Sequence, residues 1–164
     1  MRHLIIDGYN AISKIKEFDA KKDISLESSR LSFIKALMDF RRRNHRFSKI
    51  VVVFDGKGDG LGLERESYGN VEVVFSNKTK DADKTIVDML KIASGNSRIT
   101  VSSDDNFVKN HTRAFGCEAM SVKDLEDLIS LKKKTPRGKI IEKDIGDKNQ
   151  EDITNELKRY WGVK

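Results

Sequence analysis

The stretch that most constrains this chain is its first strand and the turn that ends it, His3-Leu4-Ile5-Ile6-Asp7-Gly8-Tyr9-Asn10. A short apolar run closing on Asp and then Gly predicts a buried parallel strand. Such a strand delivers one carboxylate to the C-terminal edge of a sheet, where open α/β sheets place their ligands. The pattern recurs. Ile50-Val51-Val52-Val53-Phe54 closes on Asp55 and Gly56, and Arg98-Ile99-Thr100-Val101-Ser102-Ser103 closes on Asp104 and Asp105. If these strands are parallel neighbours, carboxylates from distant parts of the chain converge on one edge. The expectation is a metal-dependent acidic site on an α/β scaffold.

Between these strands the patterning is less even. Residues 11–24 mix apolar and charged side chains without a clean period, which predicts a loop with at most a short helical turn. From about Ser25 to Arg43, Ile34, Leu37 and Met38 recur at helical spacing, with Phe33 and Phe40 adding apolar bulk. That helix ends in Arg41-Arg42-Arg43, which fits either cations solvated at a helix C-terminus or a patch that contacts phosphates. The second strand, Lys49 to Asp55, runs into Gly56-Lys57-Gly58-Asp59-Gly60-Leu61-Gly62, whose glycine density predicts a mobile loop. With Lys57 and Arg65 flanking it, this is either a plain surface loop or one that closes over a bound strand. Two motif matches fail here: Lys57 occupies a ligand position of the calcium-loop pattern that Asp55, Asp59, Gly60 and Glu66 otherwise fit. Leu61 and Leu63 stand where a dinucleotide fingerprint needs glycine.

Val71 to Phe75 reads as another strand, and a helix opening near Thr79 carries Ala82, Ile86, Met89, Leu90 and Ala93 on its apolar face. Asp83 lies at the margin of that face and is the candidate for a fourth site carboxylate, whereas Asp81 suits an N-cap. Ser102-Ser103-Asp104-Asp105 before the helix containing Phe107 and Val108 is also what N-capping alone would select. The convergence of four acidic residues favours the site reading, because crowded carboxylates persist only with raised pKa values or a bound cation. Gly116 to Met120 predicts a short fifth strand, and Ser121 with Asp124 a capping-box-like start to a helix ending near Leu131. His3, His45 and His111 lack metal-ligand spacing.

The 164-residue chain, 37% hydrophobic, has the length for one domain with a substantial core. Its 32 Lys plus Arg against 26 Asp plus Glu give a formal charge of +6, which suits a polyanionic partner. An acidic site on a basic body matches a phosphodiester substrate. Cys117 is the single cysteine, so neither an intrachain disulfide nor a Cys-based zinc site can form, and it reads as a small core residue. The apolar run after His3 is broken at Asp7 before it resembles a signal peptide, and no run reaches membrane-spanning length. A cytoplasmic protein is expected. Lys132-Lys133-Lys134 and Pro136-Arg137-Gly138-Lys139 form a basic connection, followed by an amphipathic helix with Ile153, Leu157, Tyr160 and Trp161. That helix either docks on the sheet domain or forms an appendage for RNA or a ribonucleoprotein surface.

Taken together, Leu4-Ile5-Ile6-Asp7-Gly8-Tyr9-Asn10, Val51-Val52-Val53-Phe54-Asp55, Ala82-Asp83 with Ile86, and Ser103-Asp104 resemble the signatures of the bacterial YacP-like NYN domains, relatives of PIN-domain nucleases. The resemblance covers residues 1–130, leaving 131–164 as the basic connection and C-terminal helix. It implies a three-layer α/β/α PIN-like domain with a mainly parallel central sheet, Mg²⁺ or Mn²⁺ binding, and endoribonuclease activity, in some members on translated or ribosome-associated RNA. By position, Asp7, Asp55, Asp83 and Asp104 match the acidic site and Asn10 its polar support, while Arg41, Arg42, Arg43, Lys57, Arg65, Lys132, Lys133 and Lys134 are the candidate nucleic-acid contacts. Lys84 departs from the pattern, since relatives are expected to carry another acidic residue there, and it puts a second ion in doubt.

Carboxylate-held hard cations promote in-line hydrolysis of a phosphodiester to 5′-phosphate and 3′-hydroxyl ends. Asp7 and Asp104 are expected as direct ligands, Asp55 and Asp83 as ligands or water orienters, and Asn10 as a supporting hydrogen bonder. A signalling receiver domain would instead begin with adjacent acidic residues and carry a strand-end Lys, which Asp7-Gly8 and Ser103-Asp104 do not supply. A catalytically inactive RNA-binding module of the same fold is the alternative.

Overall fold

The computed structural model describes residues 2–58, 64–77, 80–93 and 98–130. Within the compact unit Met1–Ile129, the elements run β1 (Arg2–Asp7), α1 (Gly8–Lys14), α2 (Lys16–Lys21), α3 (Leu26–Arg43), β2 (Lys49–Gly58), β3 (Glu64–Tyr68) and β4 (Val71–Asn77). They continue with α4 (Ala82–Ala93), β5 (Arg98–Ser102), α5 (Asn106–Ala114), β6 (Glu118–Met120) and α6 (Val122–Ile129). The second unit begins at Ser130. The basic residues Lys132, Lys133 and Lys134 and the helix expected around Trp161 lie outside the described residues.

The six strands form one sheet in the order β3-β4-β2-β1-β5-β6. All pairs are parallel except β3 with β4, so the sheet is mainly parallel with one antiparallel edge. Alternating side chains explain its two covers. Leu4 and Ile6 of β1, Ile50, Val52 and Phe54 of β2, and Val71 and Val73 of β4 pack with Ile12, Phe18, Phe33, Leu37, Phe40 and Leu125 on one face. Ile5, Val51, Val53, Val74, Ile99 and Val101 pack with Ala82, Ile86, Leu90 and Val108 on the other. The result is the expected three-layer α/β/α arrangement.

Two local expectations are corrected. Residues 11–24 are mostly helical: Ala11, Ile12, Ile15 and Phe18 are all buried, but Ile15 has extended dihedrals (φ −95°, ψ 110°) and splits the run into α1 and α2. That break removes the continuous period by which a helix is recognised. β3, with sequence Glu-Arg-Glu-Ser-Tyr, is a strand without an apolar stripe, because it is an exposed edge that pairs only with β4. α3 forms as expected, with Ser25 as its N-cap: the Ser25 side chain accepts from Ser28 N.

The connections position the site. The chain leaves β1 toward β2 through α1–α3 on one face and leaves β5 toward β6 through α5 on the other. The order therefore switches between β1 and β5, and the crevice at their C-terminal ends is where a ligand is accommodated. Asp7 and Ser103 stand there.

Candidate active site

Asp7 ends β1 with 6% exposure, and Ser103, just past β5, donates to its Oδ2 at 3.0 Å. The close approach of β2 to this turn requires Gly8, since a Cβ there would overlap the Phe54 ring. Asp55 sits one strand away on β2. Its Oδ1 accepts from Ala82 N at 2.6 Å, tying β2 to the first residue of α4, and from Ser76 Oγ at 3.4 Å. A Cβ on Gly56 would strike the Ser76 carbonyl oxygen, so glycine permits β2 to lie this close to β4. Asp83, in the first turn of α4, brings a third carboxylate to the same edge. Asp81 is the cap expected for this helix, its Oδ1 accepting from Lys84 N at 3.0 Å.

Burial and the neighbouring carboxylates act on Asp7 and Asp83. Asp7 is pushed up to about 7 chiefly by burial, with Asp83, Asp55 and Asp105 adding repulsion against the opposing effect of the Ser103 hydroxyl. Asp83 is also raised, by burial first and then by Asp105, Asp81 and Asp55. Asp105 reaches the cluster electrostatically while capping α5, its Oδ1 accepting from Val108 N at 3.1 Å.

Asp104 is held differently. Its Oδ1 accepts from Val122 N at 3.0 Å and its Oδ2 lies 3.1 Å from Lys14 Nζ. Burial pushes its pKa up, but the Val122 N–H and the Lys14 ammonium together hold it below the usual carboxylate value. Asn10 acts on the same turn, its Oδ1 accepting from Asp104 N at 2.9 Å. Asp7, Asp55 and Asp83 thus share one repulsive environment, whereas Asp104 is neutralised by α1 and fastened to α6. The spacing of the sequence does not distinguish Asp104 from Asp105 in this respect. It also passes over Ser76 and Lys14, whose only signal is adjacency to a strand end or to the first turn, and it includes Ser103 in a motif without showing that its hydroxyl serves Asp7.

Among the described residues, Arg41, Arg42, Arg43 and Arg65 are the candidate phosphate contacts whose side chains can be placed. Arg41 and Arg42 line a depression with Tyr68, Gly69 and Asn70, beside the turn that starts β4 at the opposite edge of the sheet. Arg41 donates to His45 Nδ1 at 2.9 Å, Arg42 pairs with Asp39, and Arg43 Nη2 donates to the Ile129 carbonyl at 3.4 Å. Arg65 pairs with Glu72 at 2.6 Å on the exposed edge. The Lys57 side chain lies outside the described residues.

Among the described residues, no group of three His, Cys, Asp or Glu side chains is already arranged to hold a metal ion. The chemistry of the donor set nonetheless fits a hard cation. Mg²⁺ is commonly held by one or two carboxylates with water and substrate phosphate completing its shell, and a cation offsets both the burial that chiefly raises Asp7 and Asp83 and the repulsion that adds to it.

A model of the YacP-like NYN domain matches residues 4–161. The chain belongs to this family. The match extends through the C-terminal segment that the motif resemblance left out. Among solved structures, Rae1 (YacP) from Bacillus subtilis superposes with a TM-score of 0.66 at 23% identity, covering 96% of this chain and 84% of that one. A point mutant of the same protein superposes with a TM-score of 0.65 at 23% identity, covering 79% and 75% respectively. At this identity the likeness establishes the YacP-type fold. No curated protein matches the sequence significantly. No described helix is long and apolar enough to cross a membrane.

Proposed function

We propose that this YacP-like NYN domain is a metal-dependent endoribonuclease that hydrolyses RNA to 5′-phosphate and 3′-hydroxyl ends. Family membership supports a nuclease-type function directed at RNA. The observation that carries the chemistry is the crowding of Asp55 and Asp83 around a buried Asp7 at the sheet's switch point. Asp7, Asp83 and Asp55 would hold Mg²⁺ or Mn²⁺, with Asp105 adding negative charge. The ion supplies positive charge to the scissile phosphate and the departing 3′-oxygen.

The chain's own residues prepare that site. Ser103 orients Asp7 by donating to Oδ2, and Asp55 fixes the start of α4 so that Asp83 faces the same edge. Asn10 holds the turn after β5 through Asp104 N. Asp104 serves as a fastening between that turn, α1 and α6 rather than as a direct ligand, because Lys14 and Val122 already engage both oxygens. The basic balance of the chain draws the polyanion toward carboxylates that would otherwise repel it. A cytoplasmic enzyme acting on translated or ribosome-associated mRNA is the finer form of this reading.

The test is cleavage of end-labelled single-stranded RNA and of ribosome-engaged mRNA with Mn²⁺ or chelator. Metal-dependent cleavage that leaves 5′-phosphate ends supports the reading, and the substrate that is cut reports whether translation supplies specificity. A folded protein that binds both RNAs tightly and cuts neither would overturn it in favour of an inactive RNA-binding module.

A further inference from the structure

Beside the carboxylates lies a cavity of about 520 Å³, lined by Tyr9, Leu26, Arg30, Asp55, Gly56 and Phe75. It is not needed to hold an ion, yet Asp55 forms part of its wall, so it is continuous with the acidic site. Its composition is specific. Tyr9 packs against Phe54 with ring centroids 4.9 Å apart, and Phe54 stacks on Phe75 at 5.9 Å, giving a row of aromatic rings from the β1 turn to β4. Arg30 spans this row. Its Nη1 donates to the Tyr9 hydroxyl at 2.9 Å, and its guanidinium lies 5.8 Å from the centre of the Phe75 ring. Arg30 is thereby held at the rim by an aromatic hydroxyl, on the same side as Asp55.

We propose that this cavity is a nucleobase subsite, in which one unpaired base flanking the scissile phosphate stacks against Phe75 and Tyr9 beside the Arg30 guanidinium. The inference rests on the nuclease reading for its orientation, because Asp55 relates the cavity to the reacting phosphate. The chemistry of the walls favours a base over other occupants. Aromatic faces and a guanidinium plane are the groups on which single-stranded bases stack without sequence preference. A recessed cavity admits a splayed base and excludes one held in a duplex, so the subsite would make the protein selective for single strands. Leu26, 42% exposed, supplies an apolar lip against which the base edge rests.

The test uses the full chain carrying Asp7→Asn, with Mg²⁺ present, and measures equilibrium binding of short single-stranded RNA tetranucleotides. Each position in turn is replaced by an abasic residue. The expected result is that removing the base at one position weakens binding about tenfold, whereas removing it elsewhere changes little. Phe75→Leu and Arg30→Ala, introduced separately, should each erase most of that base dependence; Arg30 is half-buried at the cavity rim and outside the hydrophobic core, so Arg30→Ala guards against a folding defect in the Phe75 variant. Equal binding of all abasic tetranucleotides, or base dependence that survives both variants, would overturn the subsite. Cleavage of RNA by the wild-type chain is read in parallel. Base dependence without cleavage would leave the subsite standing and remove the nuclease reading, and cleavage without base dependence would do the reverse.

Discussion

Asp7, the last residue of β1, and Asp104, in the turn just past the neighbouring parallel strand β5, stand at the same edge of the sheet, yet the protein treats them as opposites. Asp7 is buried, receives one hydroxyl hydrogen bond and faces other carboxylates, so its pKa rises to about 7. Asp104 is more exposed, receives a backbone N–H and pairs with an ammonium, so its pKa falls. A carboxylate with satisfied partners stabilises the fold, whereas a crowded and desolvated one stores electrostatic cost that a cation can relieve. Position on a strand end therefore does not assign a role by itself; the partners do.

The widest separation between the two residues is expected in activity. Asp7→Asn should reduce metal-dependent RNA cleavage by on the order of 10³-fold or more, because it removes a charge from the carboxylates proposed to hold the ion. Asp104→Asn should reduce it by less than about tenfold, since the amide oxygen can still accept from Val122 N. Comparable losses in both variants, measured as kcat/KM on one RNA, would erase the distinction.

Stability should diverge with pH and in opposite directions. Between about pH 4 and 7 the folded state binds a proton at Asp7 more tightly than the unfolded state does, so the contribution of Asp7 is greatest in acid and is lost as pH rises through about 7. Metal-free Asp7→Asn should accordingly exceed the wild type in stability at pH 8, by on the order of 1–3 kcal/mol in denaturant titrations. Asp104, with its lowered pKa, contributes stability that is present above about pH 4 and is lost as pH falls through its folded value. Asp104→Asn should thus be less stable than the wild type at neutral pH and converge on it in acid. A flat Asp7→Asn difference from pH 5 to 8 would contradict the burial argument.

Two smaller effects sharpen the contrast. Ser103→Ala should lower stability by about 1 kcal/mol and shift the pH midpoint of activity upward, because it removes the one hydrogen bond that favours ionised Asp7. Lys14→Met should cost no more than about 0.5 kcal/mol, since its pair with Asp104 is partly solvated, and should raise the Asp104 pKa as followed by carboxyl NMR.

Much of this arrangement was legible in sequence. The apolar runs of β1, β2 and β5 are each followed closely by Asp, at Asp7, Asp55 and Asp104, so burial on both sheet faces and delivery of a carboxylate to one edge follow from the same stretches, although β2 continues to Gly58 and β5 stops at Ser102. Asp83 was readable from its margin position on α4, and Asp81 from its place before the helix. The rest depended on contacts between residues far apart in the chain. Lys14 meets Asp104 across 90 positions, and Arg30 meets Tyr9 only because α3 folds back beside α1. β3 carried no pattern because its side chains face solvent, and Ile15 concealed a helical pair by interrupting its period. The run Arg41-Arg42-Arg43 leaves solvated cations and a phosphate patch both open, because a charge run carries no information about which sheet edge it occupies; Arg41 and Arg42 lie beside the turn before β4, at the edge away from Asp7.

The most direct test of the account is cleavage of one end-labelled single-stranded RNA by the wild-type, Asp7→Asn and Asp104→Asn chains side by side, with Mn²⁺ and with chelator. The account predicts cleavage by the wild type only with the ion, none above background by Asp7→Asn, and cleavage by Asp104→Asn within about tenfold of the wild type. Full activity in the Asp7 variant, or cleavage that persists in chelator, would contradict it.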